Sequence, residues 1–235
     1  MKPRYAIYYV PDENSPLGEF GAHWLGWDIN RALEADLLPL AGVNAEERLK
    51  LIEHAAPYGF HATLKAPFFL APQAVENDLL RDAAKLAQIF SSPPGFPLKL
   101  THLGRFLALT PTDSQPGIDG LAACCITELD ALRAPLTARD RERRRPEKLS
   151  RKQTELLDQW GYPFVLEEYR FHLTLTGPLS DDARIRVASL IANELDAVLT
   201  QTITLDAITV VRQDRTNAPF RLLERLPLRS NKEAS

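Results

Sequence analysis

A ten-residue phrase occurs twice in this chain, as YGFHATLKAP from Tyr58 to Pro67 and as YRFHLTLTGP from Tyr169 to Pro178. Six of the ten positions are identical, and every matched pair is separated by 111 residues. A period of that length is too long for a solenoid, whose units run about 20–50 residues. It implies a duplicated unit related by a pseudo-twofold axis. Each phrase is followed by a helical pattern and then by two strand-like runs: QAVENDLLRDAAKLAQIF, LKLTHL and RFLALTP in the first case, DDARIRVASLIANELDAVL, TITLDAITVVRQ and FRLLERLPL in the second. The expected fold class is α+β: one bilobal domain over 1–235, with two pseudosymmetric lobes of antiparallel sheet and flanking helices around a central cleft. The first motif lobe covers about 57–111, a helical connection about 118–163, and the second motif lobe about 166–228.

Alternation along a strand decides what each phrase presents. Phe60, Ala62 and Leu64 fall on one face and read as core, as do Phe171, Leu173 and Leu175. His61, Thr63 and Lys65 share the opposite face, matched by Arg170, His172, Thr174 and Thr176. A first strand is expected from Tyr5 to Val10, with Tyr5 and Tyr8 as cleft-lining candidates. Helices are expected over EFGAHWLGWDINRAL, over NAEERLKLIEHAA after an Asn44 cap, over GLAACCITELDALRAPL, and over SRKQTELLDQWG up to Gly161.

Two imidazoles facing each other across a cleft, with two threonine hydroxyls and cationic side chains around them, suit a phosphate ester. Hydroxyls and cations hold non-bridging oxygens and the charge that develops on them. One neutral histidine can take a proton while the other, protonated, gives one to the departing oxygen, because imidazole titrates near neutral pH. His61 and His172 are therefore the catalytic candidates, and Thr63, Thr174, Lys65 and Arg170 the phosphate-binding ones. No metal and no cofactor is expected, since the five histidines form no His-Glu-x-x-His or Cys/His cluster.

At these residues the chain resembles the two-histidine (2H) phosphoesterase superfamily, whose signature is a pair of His-x-Thr/Ser motifs on pseudosymmetric lobes. The motifs here are HATL and HLTL, and RYAIYYVP, GRFLALTP and WGYPF extend the resemblance to a bacterial subfamily encoded beside phosphonate-degradation genes. The resemblance spans Arg4 to about Leu228. It implies metal-independent hydrolysis of a cyclic phosphodiester, with His61 and His172 as acid and base and Thr63 and Thr174 as phosphate ligands. The implied substrate is a small sugar phosphate of phosphonate metabolism. Two other readings stay open: an enzyme that processes RNA ends carrying 2′,3′-cyclic phosphate, and a non-catalytic nucleotide-binding or sensing protein with the same cleft.

Composition bounds these readings. With 45% hydrophobic residues, 25% charged residues and a formal net charge of -3, the chain has no basic excess of the kind a general nucleic-acid binder needs, so RNA is not the favoured partner. The N-terminal stretch lacks both a signal-peptide core and a membrane span, no membrane partner is expected, and adjacent Cys124 and Cys125 in an apolar run fit a reducing cytoplasm. The stretch 139–152 carries eight Lys/Arg against three Asp/Glu and reads either as a solvated face or as a basic rim that attracts an anionic substrate.

Overall fold

The structure is a computed structural model that describes residues 2–230. Its elements begin with β1 (Arg4–Tyr9), α1 (Pro16–Leu25), β2 (Trp27–Asp28), β3 (Leu33–Glu34) and α2 (Ala45–Ile52). Next come β4 (Ala62–Phe68), α3 (Glu76–Ile89), β5 (Leu98–Leu103), β6 (Phe106–Pro111), α4 (Pro116–Glu128), α5 (Ala138–Arg143) and α6 (Arg151–Trp160). The last four are β7 (Leu173–Thr174), α7 (Asp181–Leu199), β8 (Ala207–Gln213) and β9 (Arg221–Pro227).

Seven strands form one antiparallel sheet in the order β5-β6-β7-β4-β1-β8-β9, so the α+β class holds. At its centre β4 and β7 meet through one Cα pair, Ala62 opposite Leu173. These two residues are themselves equivalent positions of the repeat, so the pseudo-twofold axis passes through their pairing. On either side the registers match: Tyr9 faces Ala62 and Tyr8 faces Thr63 on one flank, while Leu109 faces Leu173 and Ala108 faces Thr174 on the other. Thus β1 and β6 are equivalent neighbours of the two motif strands.

That arrangement corrects the expected lobes. Segments 57–111 and 166–228 do not build separate sheets. Helix α3 stays with the β4 half, packing on β8 and β9, until Pro93 and Pro94 end the run and the chain crosses to lay β5 and β6 beside β7. Helix α7 packs on β5 and β6, and the chain then returns as β8 and β9 on the far side of β1. Each motif strand is flanked by elements from outside its own segment, which ties the halves together.

The apolar face of both phrases is buried as alternation requires: Phe60, Ala62, Leu64, Phe171, Leu173 and Leu175 sit in the main core with α1, α3, α4 and α7. A smaller cluster of Ala6, Tyr8, Val10, Ile29, Val211 and Phe220 lies apart from it. The helix expected from Glu19 to Leu33 is shorter and starts earlier. Ser15 caps it by accepting from the Gly18 amide, Pro16 occupies the first turn, and Gly26 at φ +70° stops it in the left-handed region. Residues beyond Gly26 form the β2–β3 ribbon instead. Asn44 does cap α2, and Gly161 at φ +76° ends α6.

Gly59 shows how tightly the first phrase is held. Its φ is +70°, and a Cβ built on it would lie 2.7 Å from Ile29 Cβ. Its equivalent, Arg170, is exposed and free of that constraint. The Gly59→Ala variant is predicted to lose roughly 1–3 kcal/mol of stability from backbone strain alone, read as a lowered urea midpoint at unchanged m-value.

Candidate active site

The two histidines stand one residue ahead of β4 and β7. Continuing the Ala62–Leu173 register by one residue sets His61 across from Thr174 and Thr63 across from His172, all on the face opposite the main core. The structure brings these four side chains together around one cavity of about 210 Å³, whose wall also includes Arg4, Tyr8, His54, Tyr58, Arg144 and Tyr162. Thr63 and His172 also border a larger, more apolar cavity of about 430 Å³, which Arg170 and Phe164 line.

Both imidazoles are fixed by the same local bond. His61 Nδ1 lies 2.8 Å from the Gly59 carbonyl oxygen, and His172 Nδ1 lies 2.7 Å from the Arg170 carbonyl oxygen. A carbonyl can only accept, so Nδ1 carries the proton in each neutral ring and Nε2 presents its lone pair. The accepting carbonyls are again equivalent positions of the repeat. Thr63 Oγ1 sits 3.1 Å from His61 Nε2 and donates to it when that ring is neutral.

Their surroundings are less symmetric. The Tyr8 ring stacks on His61 at 3.7 Å between centroids with 20° between planes. The matching residue on the other flank is Ala108, which has no ring, and His172 has the tilted Phe106 at 5.8 Å. Burial pushes His61 down to about 4, with His172 adding to the effect and the Gly59 carbonyl opposing it. Burial also lowers His172, against the Arg170 carbonyl. Both are therefore neutral in the free protein at neutral pH.

The remaining candidates divide. Tyr8 lines the cavity, but Tyr5 does not: three positions apart on one strand, they point to opposite faces, and the Tyr5 hydroxyl donates to Glu76 Oε2 at 2.9 Å. Lys65 also departs from the expected face. Ile7 faces Lys65 while the next residue, Tyr8, faces Thr63, so β4 has an extra residue there. This bulge turns Lys65 towards α4, where it is 2% exposed and its ammonium donates to the Ile126 carbonyl at 3.0 Å and pairs with Asp130 at 3.4 Å. Burial lowers it to about 8. Arg170 is exposed on the rim beside His172. Arg4, Tyr58 and Tyr162 lie in the motifs quoted from the sequence but are not among the site residues picked out there; Arg4 shares the parity of Tyr8 along β1, and that parity places it on the cleft side. Among the described residues no three His, Cys, Asp or Glu side chains converge on one point, and no helix is long and apolar enough to cross a membrane.

Residues 63–221 match the family described as "Protein of unknown function (DUF1045)". The chain belongs to the DUF1045 family. Two curated relatives, from Janthinobacterium sp. (strain Marseille) and Laribacter hongkongensis (strain HLHK9), are each called ribose 1,5-bisphosphate phosphokinase PhnN. They are 36% identical over 228 residues and 35% identical over 221 residues, covering 95% and 93% of this DUF1045 chain. The chain spans about half the length of these relatives, 50% in both cases. Among solved structures it is similar to E. coli LigT complexed with 3′-AMP, at TM-score 0.44 and 14% identity over 97% of this chain and 99% of that one. The LigT complex with NADP+ gives TM-score 0.42 and 13% identity over the same shares.

The position of Lys65 generates a test. Lys65→Met removes a donor from the last turn of α4 and one partner of Asp130, which keeps Arg133 at 2.7 Å. A loss of roughly 1–3 kcal/mol in unfolding free energy is expected, read by urea denaturation. An unchanged midpoint would contradict the structural role given to this ammonium.

Proposed function

We propose that this protein is a phosphoesterase of the two-histidine type that opens a cyclic phosphodiester of a small phosphorylated sugar. The observation that carries the proposal is the pair of imidazoles with equivalent Nδ1–carbonyl bonds, both lining one cavity together with Thr63 and Thr174. A binding site for a neutral ligand has no use for two titrating groups arranged in this way. The cavity of about 210 Å³ supports a small substrate over an RNA strand. The name of the curated relatives speaks of a phosphokinase, but this chain has no Gly-Lys step and hence no Gly-x-x-x-x-Gly-Lys phosphate loop. What carries over from that name is the chemical neighbourhood, pentose phosphates handled on one polypeptide.

In the proposed reaction the cyclic phosphate lies between the two Nε2 atoms; the Thr63 hydroxyl turns its proton from His61 Nε2 to a non-bridging oxygen, freeing that lone pair, and Thr174 donates to the other. A water oxygen attacks phosphorus, and the neutral Nε2 of one histidine takes the water proton. The bond from phosphorus to one ring oxygen breaks, and the Nε2 proton of the other histidine goes to that oxygen, leaving a phosphomonoester and a free hydroxyl. The asymmetry assigns the roles. His61, covered by Tyr8 and pushed down further, is the base; His172, with Ala108 in the matching place, takes the first proton and is the acid. The substrate's negative charge favours that proton once bound. The reaction draws on no metal.

Three measurements test this reading. His61→Ala or His172→Ala should slow the chemical step by roughly 10²–10⁴-fold in folded protein, while Thr63→Val or Thr174→Val should lose about 1–3 kcal/mol of transition-state stabilisation. Wild-type turnover of either single histidine variant would instead favour a sensing protein. Hydrolysis should persist in EDTA; loss on chelation with recovery on adding a divalent ion would count against the mechanism. The pH profile has a required sign. Catalysis needs one bound proton on the pair, and both rings are lowered from 6.5 in the free protein. The basic limb of kcat/KM should therefore fall below pH 6.5, and that of kcat should lie higher because the bound anion raises the acid.

A further inference from the structure

Beside the histidine cleft lies a second cavity of about 160 Å³. The two share Arg4, Tyr58, Ala66, Pro67, Arg144 and Tyr162 as lining residues, so they adjoin. Resting on the phosphoesterase reading, we propose that this arginine-lined pocket is a second anion subsite, and that the substrate is a cyclic phosphodiester that also carries a phosphomonoester elsewhere on its sugar.

Charge is the first argument. Arg4 and Arg144 have no carboxylate partner among the described residues. Arg4 Nε donates to Gln213 Oε1 at 2.8 Å, which leaves its terminal nitrogens available, and the Arg144 guanidinium lies 4.9 Å over the Tyr162 ring, a stacking that leaves its N–H edge free. Three other cations of the basic stretch are paired: Arg141 with Asp158 at 2.7 Å, Arg151 with Glu155 at 3.0 Å, and Lys152 with Glu167; Arg144 is the one that lines both cavities. Arg143 also borders the pocket, together with the pocket's acid Asp140, which is held by Thr137 at 2.7 Å. Lys65 and Arg133 border it too, tied to Asp130. The balance at this point is strongly positive in a chain whose net charge is -3.

Unused donors are the second argument. Tyr8 is 0% exposed, lines the histidine cavity together with the shared Arg4, Tyr58, Arg144 and Tyr162, and its hydroxyl has no hydrogen-bond partner among the described residues. Trp160 borders the second cavity with its buried Nε1 likewise unpaired. A buried donor without a partner is destabilising, so two of them beside two unneutralised guanidiniums fit an acceptor that arrives from outside. Burial holds the Tyr8 phenol far above its usual range, so it stays an O–H donor. A phosphomonoester supplies the required acceptor oxygens and up to two negative charges, and Arg binds it by paired N–H donors. With its diester between the histidines and its monoester here, a phosphorylated pentose would be held at both ends, which fixes which ring oxygen faces His172.

The test separates the subsite from the chemistry. Binding of ribose 5-phosphate is measured by calorimetry on wild type, on His61→Ala/His172→Ala, and on Arg4→Gln/Arg144→Gln. Binding should persist in the histidine variant and weaken by about 10–100-fold in the arginine variant. Tyr8→Phe provides a second probe, since it deletes an unpaired hydroxyl without emptying the core; it should keep or raise thermal stability and weaken binding several-fold. Ribose 5-phosphate bound equally by wild type and both of these pocket variants would overturn the proposal. In parallel, kcat/KM is compared for a pentose cyclic phosphate with and without a 5-phosphate. Wild type should prefer the phosphorylated compound by at least tenfold, and Arg4→Gln/Arg144→Gln should erase that preference. Hydrolysis indifferent to the second phosphate would overturn the subsite's role in substrate choice while leaving the phosphoesterase standing. No hydrolysis of either compound, with ribose 5-phosphate still bound through the arginines, would sink the phosphoesterase reading and support the anion site.

Discussion

Ala62 and Leu173 face each other across β4 and β7, and the rest of the site depends on that pairing. An antiparallel register relates residues by a local twofold rotation, so when the two paired residues are equivalent positions of a duplicated phrase, every flanking position is matched as well. Histidine is set across from threonine twice. No long-range coordination of loops is needed to assemble the four polar groups; one backbone pairing does so, and the main core beneath it, anchored by Phe60, Leu64, Phe171 and Leu175, prevents a slip of register that would turn the histidines inward. The crossing of β5–β6 and β8–β9 between the halves then makes it hard for the halves to part.

Duplication supplies the pair, and departures from it make the two rings unequal. Two identical imidazoles would compete for one proton without a preference. The Tyr8 ring on one flank, where the other has Ala108, breaks the tie by covering His61 more fully. The difference between Gly59 and Arg170 follows the same logic: the first is compelled by a positive φ and the proximity of Ile29, while the second is an exposed rim residue, yet both offer a carbonyl to the histidine two positions on. Backbone function is retained where side-chain identity has diverged.

Most of the fold and the centre of the site were legible because they rest on short-range regularities. The repeat fixed the equivalence of His61 and His172, and alternation separated their faces from the core. Helix caps at Asn44 and Gly161 were readable for the same reason, being local backbone chemistry. What escaped required knowledge of partners. A bulge opposite Ile7 and Tyr8 reverses Lys65, and no local pattern announces it because Leu64, the residue beside it, is as apolar as a regular strand would have it. The exchange of hairpins between halves was hidden because element order alone does not say which strand each hairpin joins. Tyr5 was a different kind of miss, since alternation along β1 already excludes it from the face of Tyr8.

The central claim is that both Nε2 atoms address the same phosphate. Histidine-selective ¹⁵N NMR of the folded protein during titration with inorganic phosphate tests it directly, with His61→Ala and His172→Ala supplying the assignments. The account predicts that both Nε2 signals move together along one saturation curve, and that removing either ring alters the response of the other. Separate saturation curves, or a phosphate-dependent shift at only one ring, would contradict it.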